Sequence, residues 1–147
     1  MKKTEKGISL FPTDLVNHLG CGHLTQLNLA VAEGILDKPK YHDPNADVLR
    51  ERGLEFEKAY LNYLKEKGCN ISVPAEESIE GGFERTLSDM QKGVDYIYQA
   101  RLEMNTWGGT ADFLKQIDRP SSLGNWSYEV IDTKLARETK AGAILQL

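Results

Sequence analysis

Residues Gly108–Leu135 read GGTADFLKQIDRPSSLGNWSYEVIDTKL. Two runs of mixed apolar and polar residues flank Arg119–Asn125 (RPSSLGN), whose Pro and Gly mark a turn, so the stretch predicts a β-hairpin with its midpoint near Ser122. Strand side chains alternate between faces. Tyr128, Val130, Asp132 and Lys134 therefore share one face, and Glu129, Ile131 and Thr133 the other. In an unbulged hairpin centred at Ser122, Asp112 of the first strand lies opposite Asp132 of the second. Like charges directly opposite are destabilising, and two carboxylates in one place do not both ionise cheaply without a cation. Lys134, two residues along the same face, adds a positive charge suited to phosphate. A surface ladder with a cross-strand salt bridge is the plainer alternative. Phe113, Val130 and Ile131 argue for partial burial, where unpaired carboxylates are costly.

Working outward, the 147 residues suffice for one hydrophobic core and not for two. Apolar content of 40% and charged content of 27% are ordinary globular values, which set aside a disordered or fibrous chain. A net charge of −4 is unlike the basic balance of most nucleic-acid binders. It remains compatible with an acidic site whose charge is offset by bound cations. The opening MKKTEKGISLF lacks the apolar run of a signal peptide, and no later run is long enough to span a membrane; the expectation is a cytoplasmic protein without membrane association. Cys21 and Cys69 are expected to be unpaired in that compartment.

Upstream of the hairpin, a short helix is predicted from Pro12 to about Leu19 with Thr13 as N-cap, and a second from about His23 to Gly34. Residues 38–45 read as a connecting loop. The longest helix is predicted over Asp47–Lys67, with Asp47 in the first turn, Lys65 and Lys67 in the last, and Gly68 as its stop. Gly53, Glu57, Leu61 and Leu64 form one stripe of it. A carboxylate within an apolar stripe requires a partner. For Glu57 that is either a Lys or Arg at the edge of the face, or a metal. Glu55, on another face, reads as solvated. Cys69–Val73 suggests a short edge strand, Glu84–Lys92 a helix stopped by Gly93, and Val94–Glu103 a strand. The sheet is expected to hold three antiparallel strands near 94–104, 109–118 and 127–134, with helix from Leu135 onward. That helix runs to Leu147 without a stop signal, so the chain is expected to be the N-terminal part of something longer. The organisation predicted is an N-terminal helical segment, 1–46, and a core, 47–147, together effectively one domain.

The ordered set Gly109-Thr-Ala-Asp112, Asp132-Thr-Lys134 and Gln146 resembles the PD-(D/E)XK nuclease core, and within it the RecB-like branch. That branch includes CRISPR-associated RecB-like exonucleases and RecB-family nucleases often fused to a helicase; YEVIDTKLARETKAG is most similar to the last group. The resemblance implies an α/β restriction-endonuclease-like αβββαβ core, a mixed sheet flanked by helices, here with the last helix and strand truncated. It implies metal-dependent hydrolysis of DNA phosphodiesters at ends or on single strands, in repair or recombination. Carried over, Asp112 and Asp132 are ligands of Mg²⁺ or Mn²⁺, Thr133 adds its peptide carbonyl, and Lys134 is the catalytic lysine.

Related proteins carry Gly-x-x-x-His on the long helix. This chain has Gly53-Leu-Glu-Phe-Glu57, so Glu57 stands at the histidine position as an oxygen ligand, which suits those ions. Gln146 matches the start of a Gln-x-x-x-Tyr motif that contacts DNA, and the tyrosine is absent. Arg137 and Lys140 share a helix face; they either reach phosphate oxygens or form an ordinary solvated basic face. Cys21 resembles the upstream ligand of a [4Fe–4S] cluster found in some relatives. A cluster needs four thiolates, which only a longer protein supplies, and the alternative is a half-buried cysteine at a helix junction. His18 and His23 flank it without a common zinc spacing and read as structural. The competing function is a catalytically inactive nucleic-acid-binding or assembly module on the same fold. A small-molecule metal hydrolase is disfavoured, because no histidine cluster accompanies the carboxylates.

Overall fold

The structure, a computed structural model, describes residues 1–5, 7–74, 79–135 and 141–145. The elements are β1 (Lys2–Thr4), β2 (Gly7–Ser9), α1 (Pro12–Gly20), α2 (Gly22–Glu33), α3 (Pro44–Glu66), β3 (Ile71–Ser72), α4 (Ile79–Lys92), β4 (Tyr96–Met104), β5 (Trp107–Ile117), β6 (Ser127–Ile131) and α5 (Ala141–Ile144). The chain is a mixed α/β protein. Its four-stranded sheet has the order β3-β4-β5-β6, with β3 parallel to β4 and β5 antiparallel to β6. No described helix is long and apolar enough to cross a membrane.

Two compact units divide the chain: Pro44–Leu102 with Thr110–Arg137, and Met1–Asp43 with Glu103–Gly109 and Glu138–Leu147. The first unit holds most of the sheet and both helices that flank it. On one face, Leu61 and Leu64 of α3 bury against Phe113, beside Tyr98 and Ile131. On the other, Met90 of α4 packs against Val94, Ile97, Ala100 and Leu114, with Tyr128 and Val130 alongside. The alternation expected for the last strand is therefore present, with Tyr128 and Val130 on one face and Ile131 on the opposite one.

Side-chain hydrogen bonds tie α4 to the sheet. The Trp126 indole N–H donates to the Met90 carbonyl (3.0 Å) and the Tyr128 hydroxyl to the Val94 carbonyl (2.6 Å). The buried Asp89 carboxylate accepts from the Ser72 hydroxyl and from Arg85 Nε (2.9 Å). Gly93 ends α4 at φ +69°, and a Cβ there would meet Gln116 Nε2 at 3.0 Å and the Trp126 ring at 3.3 Å. Glycine is needed at this stop for both conformation and space.

The β5–β6 register is the one the turn chemistry predicts. Cα partners run from Phe113↔Ile131 through Gln116↔Tyr128 to Ile117↔Ser127, centred on Ser122. Several boundaries differ from the sequence expectation. β6 ends at Ile131, so Asp132, Thr133, Lys134 and Leu135 lie just beyond the strand and outside any helix; the helix expected from Leu135 is described only over Ala141–Ile144. α4 begins earlier than Glu84. The N-cap of α1 is Phe11, with Pro12 in the first turn, rather than Thr13. Asp14 explains this, because its carboxylate accepts the Phe11 N–H at 2.9 Å, capping two residue positions earlier.

In the second unit β1 and β2 form an antiparallel hairpin that the sequence reading did not include. Leu10 follows it and bridges the β4–β5 turn, its N–H donating to the Thr106 carbonyl (2.7 Å) while its own carbonyl accepts from Gly108 (2.9 Å). α1 packs on α2, and Gly34 stops α2 at φ +80°.

Candidate functional site

Phe113, fully buried, stands at the last β5–β6 rung, and Asp112 precedes it. Continuing the ladder by one rung would place Asp112 opposite Asp132. Instead the β6 strand ends, and one oxygen of the Asp112 carboxylate, Oδ2, accepts both the Thr133 backbone N–H (2.7 Å) and the Thr133 hydroxyl (2.8 Å). The side chain thus takes over a donor that the sheet no longer pairs, which removes the cost of an orphaned amide. Thr133 meets Asp112 as a double donor, a role different from the carbonyl ligand that the family resemblance implies. Asp132 Oδ1 accepts from Lys134 Nζ at 2.8 Å, with the lysine half-exposed. An ion pair this open contributes about 0–1 kcal/mol to stability. The lysine is thus available for other work at little cost.

Glu57 lies on the stripe that carries Leu61 and Leu64 into the sheet and is only 7% exposed. Its described partners are neither Lys nor Arg. Gln99 Nε2 donates to Oε1, and the Tyr98 hydroxyl hydrogen-bonds the same carboxylate. Two donors offset much of the penalty of burying a charge. The Asp112 charge also acts on Tyr98.

That a tyrosine and the next residue both serve Glu57 breaks strand alternation, and the backbone shows how. Gln99 has φ +53° in mid-strand, the left-handed region that a non-glycine residue rarely enters. Ile97 and Ala100, three apart, fall in one core cluster, while Tyr96 and Tyr98 fall in the other. One extra residue, the signature of a β-bulge, accounts for both observations. Neither Tyr98 nor Gln99 was singled out from sequence. The only available hint was the carboxylate of Glu57, which demanded a partner without naming it.

Burial pushes the Tyr98 hydroxyl up to about 12, helped by its hydrogen bond to Glu57 and by the charges of Glu57 and Asp112. Tyr128 is likewise pushed up to about 12 by burial and the charges of Asp95 and Asp89. In the unfolded chain both ionise near 10. The folded state therefore holds these protons longer, so the stability they contribute is intact below about pH 10 and is lost as pH rises from about 10 to 12. Urea-unfolding midpoints measured across that window should fall, and Tyr98→Phe should make the fall shallower. An unchanged slope in that variant would show that the hydroxyl is not held by this site.

Among the other residues singled out from sequence, Gln146, Arg137 and Lys140 lie outside the described residues. Cys21 is an exposed free thiol at the junction of α1 and α2, where the alternative to a cluster ligand was a half-buried cysteine. Cys69 is also free, and the two cysteines of the chain fall short of the four thiolates of a [4Fe–4S] cluster. His18 Nδ1 pairs with the Thr25 hydroxyl at 2.8 Å, in keeping with a structural role. A cavity of about 430 Å³ bordered by Asn70, Ser72, Arg85 and Asp89 includes none of the candidate residues.

Among the described residues no group of three or more His, Cys, Asp or Glu stands in metal-holding geometry. Mg²⁺ does not demand one, because it keeps several waters and binds through one or two carboxylates together with substrate phosphates. No family model, no curated protein and no solved structure matches this chain.

Proposed function

We propose that the protein is a metal-dependent deoxyribonuclease of the RecB-like PD-(D/E)XK type, with a restriction-endonuclease-like core, acting on single strands or DNA ends in repair or recombination. The observation that carries this reading is the pairing of Asp112 with the Asp132-Thr-Lys134 segment through Thr133, on the sheet that also buries Glu57 of α3. Asp112 holds Thr133 just past the last β5–β6 rung, and α3 lays Glu57 against Gln99 of β4. Asp112 and Asp132 would hold Mg²⁺ or Mn²⁺, with Glu57 as a further oxygen donor. When bound, such an ion lowers the pKa of a water and stabilises charge on phosphoryl oxygens. Thr133 orients the Asp112 carboxylate through its two hydrogen bonds. The Lys134 ammonium, held by Asp132, would offer a positive charge to a phosphate oxygen and orient or activate the attacking water. A fused or associated helicase would supply single strands, and this part of the reading rests on family analogy.

The second reading, an inactive nucleic-acid-binding or assembly module, draws on a different observation. Glu57, Asp112 and Asp132 each already accept from a protein donor. The two are separated by incubating end-labelled single-stranded DNA with the protein in Mn²⁺, in Mg²⁺, or with chelator. The nuclease reading expects shortening only with the ions and its loss in Asp112→Ala. Retention of DNA without turnover under either ion would favour the binding module.

A further inference from the structure

The bulge in β4 suggests a role for Gln99. Left-handed backbone at a non-glycine residue is strained and persists only where the surroundings impose it. Here it lies in a strand interior, away from any turn, and its consequence is specific: consecutive side chains, Tyr98 and Gln99, reach one buried carboxylate. Without the extra residue, Gln99 would share the face of Ile97, and the amide would enter the cluster of Val94, Ile97 and Leu114. We infer that the β4 bulge is a clamp that sets the orientation of Glu57, with Gln99 as the principal positioning residue and Tyr98 as its second arm.

The proposal rests on the metal-site reading and deepens it. A carboxylate on a helix has freely rotating outer torsions, and a ligand that must present one oxygen needs the other restrained. The Gln99 amide engages Oε1 of Glu57. Hydrogen-bonded outer partners of this kind fix ligand orientation, and their loss weakens metal affinity about 10- to 100-fold. A glutamine retained only for packing would have no such effect on a bound ion.

The test uses the full chain, with Mn²⁺ as the probe and the paramagnetic resonance signal of the free ion as the readout. Gln99→Leu keeps much of the side-chain volume and removes the amide; Tyr98→Phe removes the second donor without touching the β4 backbone. Both should bind Mn²⁺ about 10- to 100-fold more weakly than the unaltered protein. Gln99→Gly should show the same weakening yet melt above Gln99→Leu, because glycine relieves the left-handed backbone. If the unaltered protein binds Mn²⁺ and Gln99→Leu and Tyr98→Phe bind it equally well, the clamp is wrong and the metal site stands. If the unaltered protein does not take up Mn²⁺ at all, the metal reading falls and the clamp with it. Should Gln99→Leu not fold, Tyr98→Phe carries the same decision alone.

Discussion

Phe113→Ala is expected to remove about 3–5 kcal/mol of folding stability, a large part of the 5–15 kcal/mol that a domain commonly has. The ring is fully buried between Tyr60, which meets it edge-on with centroids 5.0 Å apart, and Tyr98, also at 5.0 Å. Leu61 and Leu64 of α3 close over it, and Ile131 is its cross-strand partner. Truncation loses the transfer energy of the ring and leaves a cavity that three different elements would have to move to fill. Aromatic pairs add about 0.5–1.5 kcal/mol beyond burial. The site should suffer as well, because Phe113 anchors the last β5–β6 rung before Asp112 turns to Thr133. Urea unfolding followed by circular dichroism tests this through its midpoint. Phe113→Leu, which retains much of the volume, should lose less. A midpoint in Phe113→Ala equal to that of the unaltered protein would mean that α3 does not pack on this sheet face as described.

The parts of this fold that were legible in the sequence are those that local chemistry dictates. The RPSSLGN turn set the register of β5 on β6, because Pro and Gly leave few places for a hairpin to reverse. Gly34, Gly68 and Gly93 marked helix stops, and each has positive φ in the structure. The stripe through Glu57, Leu61 and Leu64 on α3 showed which face is buried, and that Glu57 must find a partner there. What escaped depends on contacts between distant residues. Nothing in Tyr-Gln-Ala announces a bulge, since glutamine has no special preference for left-handed backbone; Glu57, 42 positions away, has its carboxylate in contact with that amide. The end of β6 escaped for a related reason. Asp132-Thr133-Lys134 alternates well enough to continue a strand, but the Asp112 side chain takes the Thr133 N–H and replaces the next rung. The β1–β2 hairpin is short and charged, with the three-residue strands Lys2–Thr4 and Gly7–Ser9, and carries no apolar alternation to reveal it.

Asp132→Ala is expected to reduce divalent-metal-dependent DNA degradation to background, and Lys134→Met to slow it by about 10²- to 10⁴-fold, the range typical of losing one general acid or base. The two differ in what they remove. Asp132→Ala takes away an oxygen proposed to hold the metal and at the same time frees the lysine that it holds at 2.8 Å. Lys134→Met leaves the carboxylate and the aliphatic stem and deletes only the charge. Mn²⁺ affinity should therefore fall in Asp132→Ala and hold in Lys134→Met, a split that an ordinary surface salt bridge does not produce. On the surface-ladder reading both substitutions would cost less than about 1 kcal/mol of stability, and metal binding would ignore them. The double variant adds a further check. Residues acting as a unit are non-additive, so Asp132→Ala with Lys134→Met should be no slower than Asp132→Ala alone. If Asp132→Ala degrades DNA at the rate of the unaltered protein, the nuclease assignment fails whatever the other variants do. The ion pair would then be a surface feature of a binding module.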